Sequence, residues 1–290
     1  MRTQKCTAGF TLVELSIVLV IIGLLVGGVL AGESLIHAAQ LNSVTREGTQ
    51  FITATQSFHD KYQALPGDMT NATQFWGLAY NETTAAGASG GSACWFTASA
   101  TNATCDGDGN GQVNTCSPFP ACYTDGNFKQ SGEMFQYWKQ LADAGLISGT
   151  YTGVCADGCG NYRDSRKGVN VPNSRYAGGG WSVEYIGSWP GSADASGITS
   201  FAGNYGNPFT FGAETGPVNG QYDKTQGPLI TPGDAWNIDA KIDDGKPATG
   251  KVLVGPPSLC TNAISVTDWN STYLLTSNAP VCALTFIQSF

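Results

Sequence analysis

Residues 10–31 read FTLVELSIVLVIIGLLVGGVLA, from Phe10 to Ala31, 22 residues with a single charge at Glu14. A helix rises 1.5 Å per residue, so this stretch spans about 33 Å, enough to cross the hydrocarbon core of a bilayer. A short leader, MRTQKCTAG, precedes it and carries Arg2 and Lys5, which favour a cytoplasmic N-terminus. A secretory signal peptide would have a shorter apolar run followed by a small-residue cleavage site. Here the run is longer and passes into an amphipathic stretch. A plain anchor would leave Glu14 unexplained, because a carboxylate in the apolar layer is costly and calls for a partner.

The hexapeptide Gly9-Phe10-Thr11-Leu12-Val13-Glu14 resembles the prepilin processing motif of type IV pilins and type II secretion pseudopilins. The resemblance rests on residues 5–35, where cleavage residues, glutamate, basic leader and apolar length agree. It implies that prepilin peptidase cuts between Gly9 and Phe10 and that the new Phe10 amine is N-methylated. Glu14 then becomes the fifth mature residue and neutralises the amine of a neighbouring subunit inside an apolar filament core. Two buried charges are tolerable there only as a pair. Implied partners are other pilin subunits, the prepilin peptidase, the inner-membrane assembly machinery and, before assembly, the lipid bilayer. The implied location is the bacterial inner membrane with the head in the periplasm, then an extracellular filament or periplasmic pseudopilus. One departure is visible: Ala31 stands where many pilins carry a proline, with Gly27, Gly28 and Gly32 nearby. Those glycines either permit local melting of the helix or serve as small packing residues.

Outward from this segment, Glu33 to Tyr62 contains no proline and one glycine, Gly48. Leu41, Val44, Gly48, Phe51, Thr55, Phe58 and Tyr62 recur at steps of three and four, a helical stripe that should pack on a globular domain. Leu65-Pro66-Gly67-Asp68 is the stop. One helix from Phe10 to Tyr62 would be roughly 80 Å long. His37 and His59 lie on it without converging partners and read as surface or packing residues.

The expected fold is α+β: a long N-terminal helix, half membrane-spanning and half amphipathic, packed on a loop-rich, disulfide-containing antiparallel β head. The expected divisions are a leader (1–9), an assembly helix (10–31), its amphipathic continuation (32–63) and the head (64–290). In the head, Glu133 to Ala144 has helical spacing with Gly145 as stop, and Thr70 to Trp76 suggests a short helix. Trp181 to Ile186, Lys251 to Val254 and Val281 to Ile287 suggest strands among Gly- and Pro-rich turns.

Composition supports this layout. The chain has 290 residues, 38 of them Gly, and only 12% charged residues, against about 25% in ordinary soluble domains. Net charge is -8, and loss of the leader leaves 12 basic against 22 acidic residues, or -10. An acidic chain without a basic patch argues against nucleic acid as partner and leaves cations, including Ca2+, open as ligands. Of nine cysteines, eight lie beyond the apolar segment: Cys94, Cys105, Cys116, Cys122, Cys155, Cys159, Cys260 and Cys282. An even set scattered through a loop-rich domain reads as disulfides, since no CxxC or Cys/His cluster suggests zinc. A Cys260–Cys282 bridge would fit the C-terminal loop that the pilin resemblance suggests.

Asp106-Gly107-Asp108-Gly109-Asn110-Gly111 follows the start of an EF-hand-type loop. In that reading Asp106, Asp108 and Asn110 supply side-chain oxygens, Gln112 a carbonyl, and Asn114 a ligand directly or through water. Ser117 stands where a bidentate Glu belongs, and Glu133 is the substitute; Cys105 and Cys116 bracket the loop and would staple it. The bland alternative is an Asp/Gly-rich turn. A second acidic group, Asp234, Asp239, Asp243 and Asp244, matches no loop spacing and reads as a solvated turn.

Three functions follow. The first is a structural filament subunit of a type IV pilus, with a type II secretion pseudopilin as the near alternative. The second is a minor tip subunit acting as a calcium-dependent adhesin. The third, an enzyme on a pilin-like anchor, finds no G-x-S-x-G, H-E-x-x-H or P-loop in the chain and is set aside.

Overall fold

A computed structural model describes residues 11–78, 103–113, 133–154, 165–194, 197–215 and 224–287. Helix α1 runs unbroken from Leu12 to Tyr62, 51 residues and about 77 Å. It passes through Gly23, Gly27, Gly28 and Gly32 without interruption. A Cβ at any of those four would meet nothing within 4 Å. Gln63 closes the helix in the left-handed conformation, its N–H donating to His59 O at 2.7 Å.

The head follows as α2 (Thr73–Trp76), α3 (Glu133–Asp143), β1 (Gly180–Val183), β2 (Ser188–Trp189), β3 (Ser192–Asp194), β4 (Gly197–Ser200), β5 (Gly203–Asn204), β6 (Phe209–Gly212), α4 (Pro232–Ile242), β7 (Val252–Gly255), α5 (Pro257–Cys260) and β8 (Ala283–Phe286). The main sheet is antiparallel with strand order β1-β6-β8-β7. Its register sets Trp181 opposite Phe211 and Phe209 opposite Phe286. β2 pairs with β5 and β3 with β4 in two small ribbons. A disulfide joins Cys260 to Cys282 across 5.2 Å between Cα atoms. Cys105 is also disulfide-bonded, to a partner outside the described residues. Cys94, Cys116, Cys122, Cys155 and Cys159 lie outside them as well.

Two readings of the sequence are corrected. The stretch around Asp234 and Asp239, expected to be a solvated turn, forms α4. Thr231 caps it by accepting the Asp234 N–H at 3.1 Å, Pro232 starts its first turn, and Ala235, Ile238 and Asp239 turn inward. The strand expected over 181–186 stops at Val183. Tyr185 N–H donates to Val113 O at 2.7 Å, which draws the chain away from the sheet toward the 103–113 loop.

The core forms where the second half of α1 meets the sheet and α3. Its buried residues are Leu41, Val44, Gly48, Phe51, Ala54, Thr55 and Phe58, at steps of three and four. Phe51 lies with its ring centroid 5.0 Å from Trp138, 5.4 Å from Trp181 and 6.1 Å from Phe209, all in edge-to-face contact. Gly48 lets the helix approach: a Cβ there would sit 3.2 Å from the Trp181 ring and 3.3 Å from that of Phe286. Phe51→Ala should therefore cost about 3–5 kcal/mol. Thr53→Ala, on the exposed side of the same helix, should change stability by less than about 0.5 kcal/mol. Denaturant unfolding of the detergent-solubilised chain checks both.

Candidate functional site

The described part of the stem begins at Thr11, with Gly9 and Phe10 just outside. Thr11 is the N-cap of α1 and Glu14 its third residue, which makes the T-x-x-E pattern a capping box. Thr11 Oγ1 accepts the Glu14 N–H at 3.2 Å. Glu14 Oε2 accepts the Thr11 N–H and hydroxyl, each at 2.8 Å. The Glu14 carboxylate is thus held one residue from the position where processing would create an amine. The T-x-x-E spacing is the sequence signature of this capping role, which Glu14 fills beside carrying the one charge of the apolar segment.

Every large apolar residue from Leu12 to Ile36 is exposed, whereas the head begins to cover the helix at Gln40 and Leu41. A monomer in water rarely exposes more than a few hundred Å² of contiguous apolar surface, so such a stem calls for cover by lipid or protein. Polar ties fix it to the head. Glu47 accepts from Ser174 Oγ at 2.6 Å, Arg175 N–H at 2.9 Å and Trp181 Nε1–H at 2.8 Å. Lys241 Nζ donates to Asn42 Oδ1 at 3.0 Å, and His37 Nε2 lies 2.8 Å from Asp234 Oδ1. His37, read from sequence as partnerless, thus has a partner on α4.

In the head, Asp68, Asp108 and Glu133 each offer a carboxylate oxygen within 4.8 Å of the others. Asp68 Oδ1 accepts the N–H groups of Gly109 (2.7 Å) and Asn110 (3.0 Å), and Oδ2 that of Gly111 (2.8 Å). Glu133 Oε1 accepts the Asp108 N–H at 3.2 Å. The 106–111 loop therefore wraps onto the turn at Asp68 backbone against backbone. A Cβ at Gly107 would come within 2.4 Å of Asp68 Cα, which explains a glycine there. Burial pushes the Asp68 carboxyl up to about 6, against the lowering by its backbone donors, with the neighbouring Asp108 adding to the rise.

The other expected ligands are placed differently. Asp106 caps α2, accepting from Thr73 N–H at 2.8 Å and Thr73 Oγ1 at 3.0 Å. Asn110 Oδ1 accepts the Gln112 N–H at 2.7 Å, and its Nδ2 donates to Asp108 Oδ2 at 2.9 Å. Asn114 lies outside the described residues. The loop thus brings Asp108 and Glu133 together, turns Asp106 away, and adds Asp68. Asp68 sits in the Pro-Gly-Asp turn, which the sequence marked as a helix stop. Nothing in the local spacing ties it to a loop forty residues on.

A second trio, Asp239, Asp243 and Asp244, lies at the end of α4. Asp239 accepts from Tyr273 Oη at 2.7 Å and Gly245 N–H at 3.3 Å. Burial, opposed by the Tyr273 hydrogen bond, pushes its carboxyl up to about 7. Asp244 accepts from Lys246 N–H and Thr249 Oγ1, and Asp243 from Lys251 N–H.

Residues 4–30 match the prokaryotic N-terminal methylation motif. The chain therefore carries the signature of type IV pilins and pseudopilins, and the long apolar helix fits it. That family is structural, and the motif implies processing by prepilin peptidase and polymerisation with other pilin subunits. Motif and helix together fit anchoring in the inner membrane. No curated protein and no solved structure matches the chain.

The raised carboxyls set a pH dependence. A carboxyl that holds its proton more tightly folded than unfolded contributes stability below its unfolded value and loses it as pH rises through the folded value. With Asp68 near 6 and Asp239 near 7, the thermal midpoint of the metal-free protein should fall as pH is raised from about 4 to 7. Asp239→Asn should flatten the fall; calorimetry in chelator across that range checks it.

Proposed function

We propose that the chain is a structural subunit of a type IV pilus-like filament, cut by prepilin peptidase after Gly9, methylated at Phe10 and polymerised through α1. The observation that carries this reading is a single helix whose second half is the spine of the head's core, while residues 12–36 stay exposed and apolar. Lipid satisfies that stem before assembly, and stems of other copies satisfy it afterwards. Glu14 supplies the negative member of the buried charge pair. A head of more than two hundred residues, tied to the long helix at His37, Asn42 and Glu47 and closed by a C-terminal disulfide, suits a displayed filament surface better than the compact subunit of a secretion pseudopilus.

The proposal extends to Ca2+ at Asp68, Asp108 and Glu133. Three carboxylates converge there beside the 106–111 loop, and a hard divalent cation takes oxygen ligands of this kind. The cation would order the 106–111 loop against α3 and the Asp68 turn.

Mass spectrometry of the N-terminal peptide from sheared surface material tests the main reading. N-methylated Phe10 as the first residue of that fraction is expected; unprocessed Met1 confined to membranes would overturn it. For the cation, millimolar Ca2+ should raise the thermal midpoint at pH 7 in the wild type and leave Glu133→Gln unmoved. An equal rise in both would remove Ca2+ from this site.

A further inference from the structure

We infer that Thr11 is a positioning residue for the leader cut: its cap halts α1 at Leu12, so that the Gly9–Phe10 bond is presented to prepilin peptidase outside the helix. The inference rests on the processing that the motif implies, and it names the residue that makes the bond accessible.

The start of α1 needs a cause. The helix runs through Gly23, Gly27, Gly28 and Gly32 without a break, so a lone glycine such as Gly9 does not suffice to stop it. The apolar sequence also reaches upstream of Leu12, to Phe10. What marks the boundary is Thr11, which is extended at φ -77° and ψ 151°. Its hydroxyl oxygen accepts the Glu14 N–H at 3.2 Å, and Glu14 Oε2 accepts the Thr11 N–H at 2.8 Å. The first helical bond follows, from Leu15 N–H to Thr11 O at 3.2 Å. In an apolar layer an unmet backbone N–H is costly, so an uncapped helix grows toward the leader, where water meets its open donors. The box removes that drive by satisfying the donors of Thr11 and Glu14 in place.

The cut adds water across the Gly9–Phe10 peptide bond and leaves a carboxylate on Gly9 and an amine on Phe10. In a helix extended over this bond, the Gly9 carbonyl would be tied to the Val13 N–H, and a peptidase would first have to unwind it. The bonds of the box all lie within residues 11–15, so the cut breaks none of them. The stem therefore keeps one start in precursor and product.

The test measures leader release by purified prepilin peptidase from the full precursor in lipid vesicles, with Thr11→Val, Thr11→Ser and Thr11→Asn beside the wild type. Thr11 lies at the end of α1 away from the head, so the fold of the head is not at stake. Val keeps the shape of Thr and loses the cap; Ser and Asn change the shape and keep it. The Val variant should show KM raised about fivefold, the equivalent of roughly 1 kcal/mol, with kcat unchanged, because only chains with an open bond can bind. Ser and Asn should match the wild type. A Val variant cut like the wild type overturns the inference, and so does a loss confined to kcat. A loss shared by Ser or Asn overturns it too, since that marks recognition of threonine itself. All three leave the filament reading standing. No release from the wild type overturns the inference together with the processing on which that reading depends.

Discussion

The contact between the second half of α1 and the inner face of the sheet is the constraint on which the rest of the structure depends. Phe51 touches Trp138 from α3, Trp181 from β1 and Phe209 from β6, so one side chain joins three elements of the head. Gly48, one turn earlier, removes the side chain that would hold the helix away from Trp181 and Phe286. The four strands of the main sheet are each only four residues long and would be marginal alone. The helix gives them a continuous apolar ridge, and burial of large aromatic rings on it supplies the driving force.

The polar contacts add direction to that burial. Glu47 lies on the flank of the same helix and takes three donors from the 174–181 region, including the indole of Trp181. A carboxylate accepting several hydrogen bonds is strongly held, and removing its partners would leave a half-buried charge. Asn42 and His37 bind α4 in matching order, Asn42 to Lys241 and His37 to Asp234, which sets α4 parallel to α1. The aromatic core fixes the distance between helix and head; these ties fix rotation and register, and thereby where the stem points.

What sequence could supply follows from the range of the interactions involved. The stem, its charge at Glu14 and the buried stripe from Leu41 to Phe58 were legible because helical periodicity and an apolar run are local patterns. The expected antiparallel α+β head was legible as a class, through the strands at 252–255 and 283–286 and the helix at 133–143. Pairing order was not, because β1-β6-β8-β7 joins segments as far apart in sequence as Phe209 and Phe286. The α4 helix was hidden by the acidic residues near its end, although Thr231-Pro232-Gly233-Asp234 carries a start signal. In the acidic cluster, the loop motif pointed to Asp108 and the helix start to Glu133. Asp68 joins them because Gly107 lets two backbones touch, a long-range contact that spacing does not encode.

One helix here serves two environments, and all of its glycines but Gly48 fall on one side of the boundary between them. Gly23, Gly27, Gly28 and Gly32 all precede the first tie to the head at His37, and none meets a neighbour that would stiffen it. Glycine lowers helix stability by about 1 kcal/mol relative to Ala, and four within ten residues make this the weakest part of α1. The part that follows is fastened at His37, Asn42, Glu47 and Phe51, nearly one attachment per turn. Any bend imposed on the stem by lipid or by neighbouring copies will therefore concentrate before Gly32 and stop at the head. Bundled stems can then adjust to one another without disturbing the aromatic core, which places assembly and folding on consecutive, mechanically separate halves of the same helix.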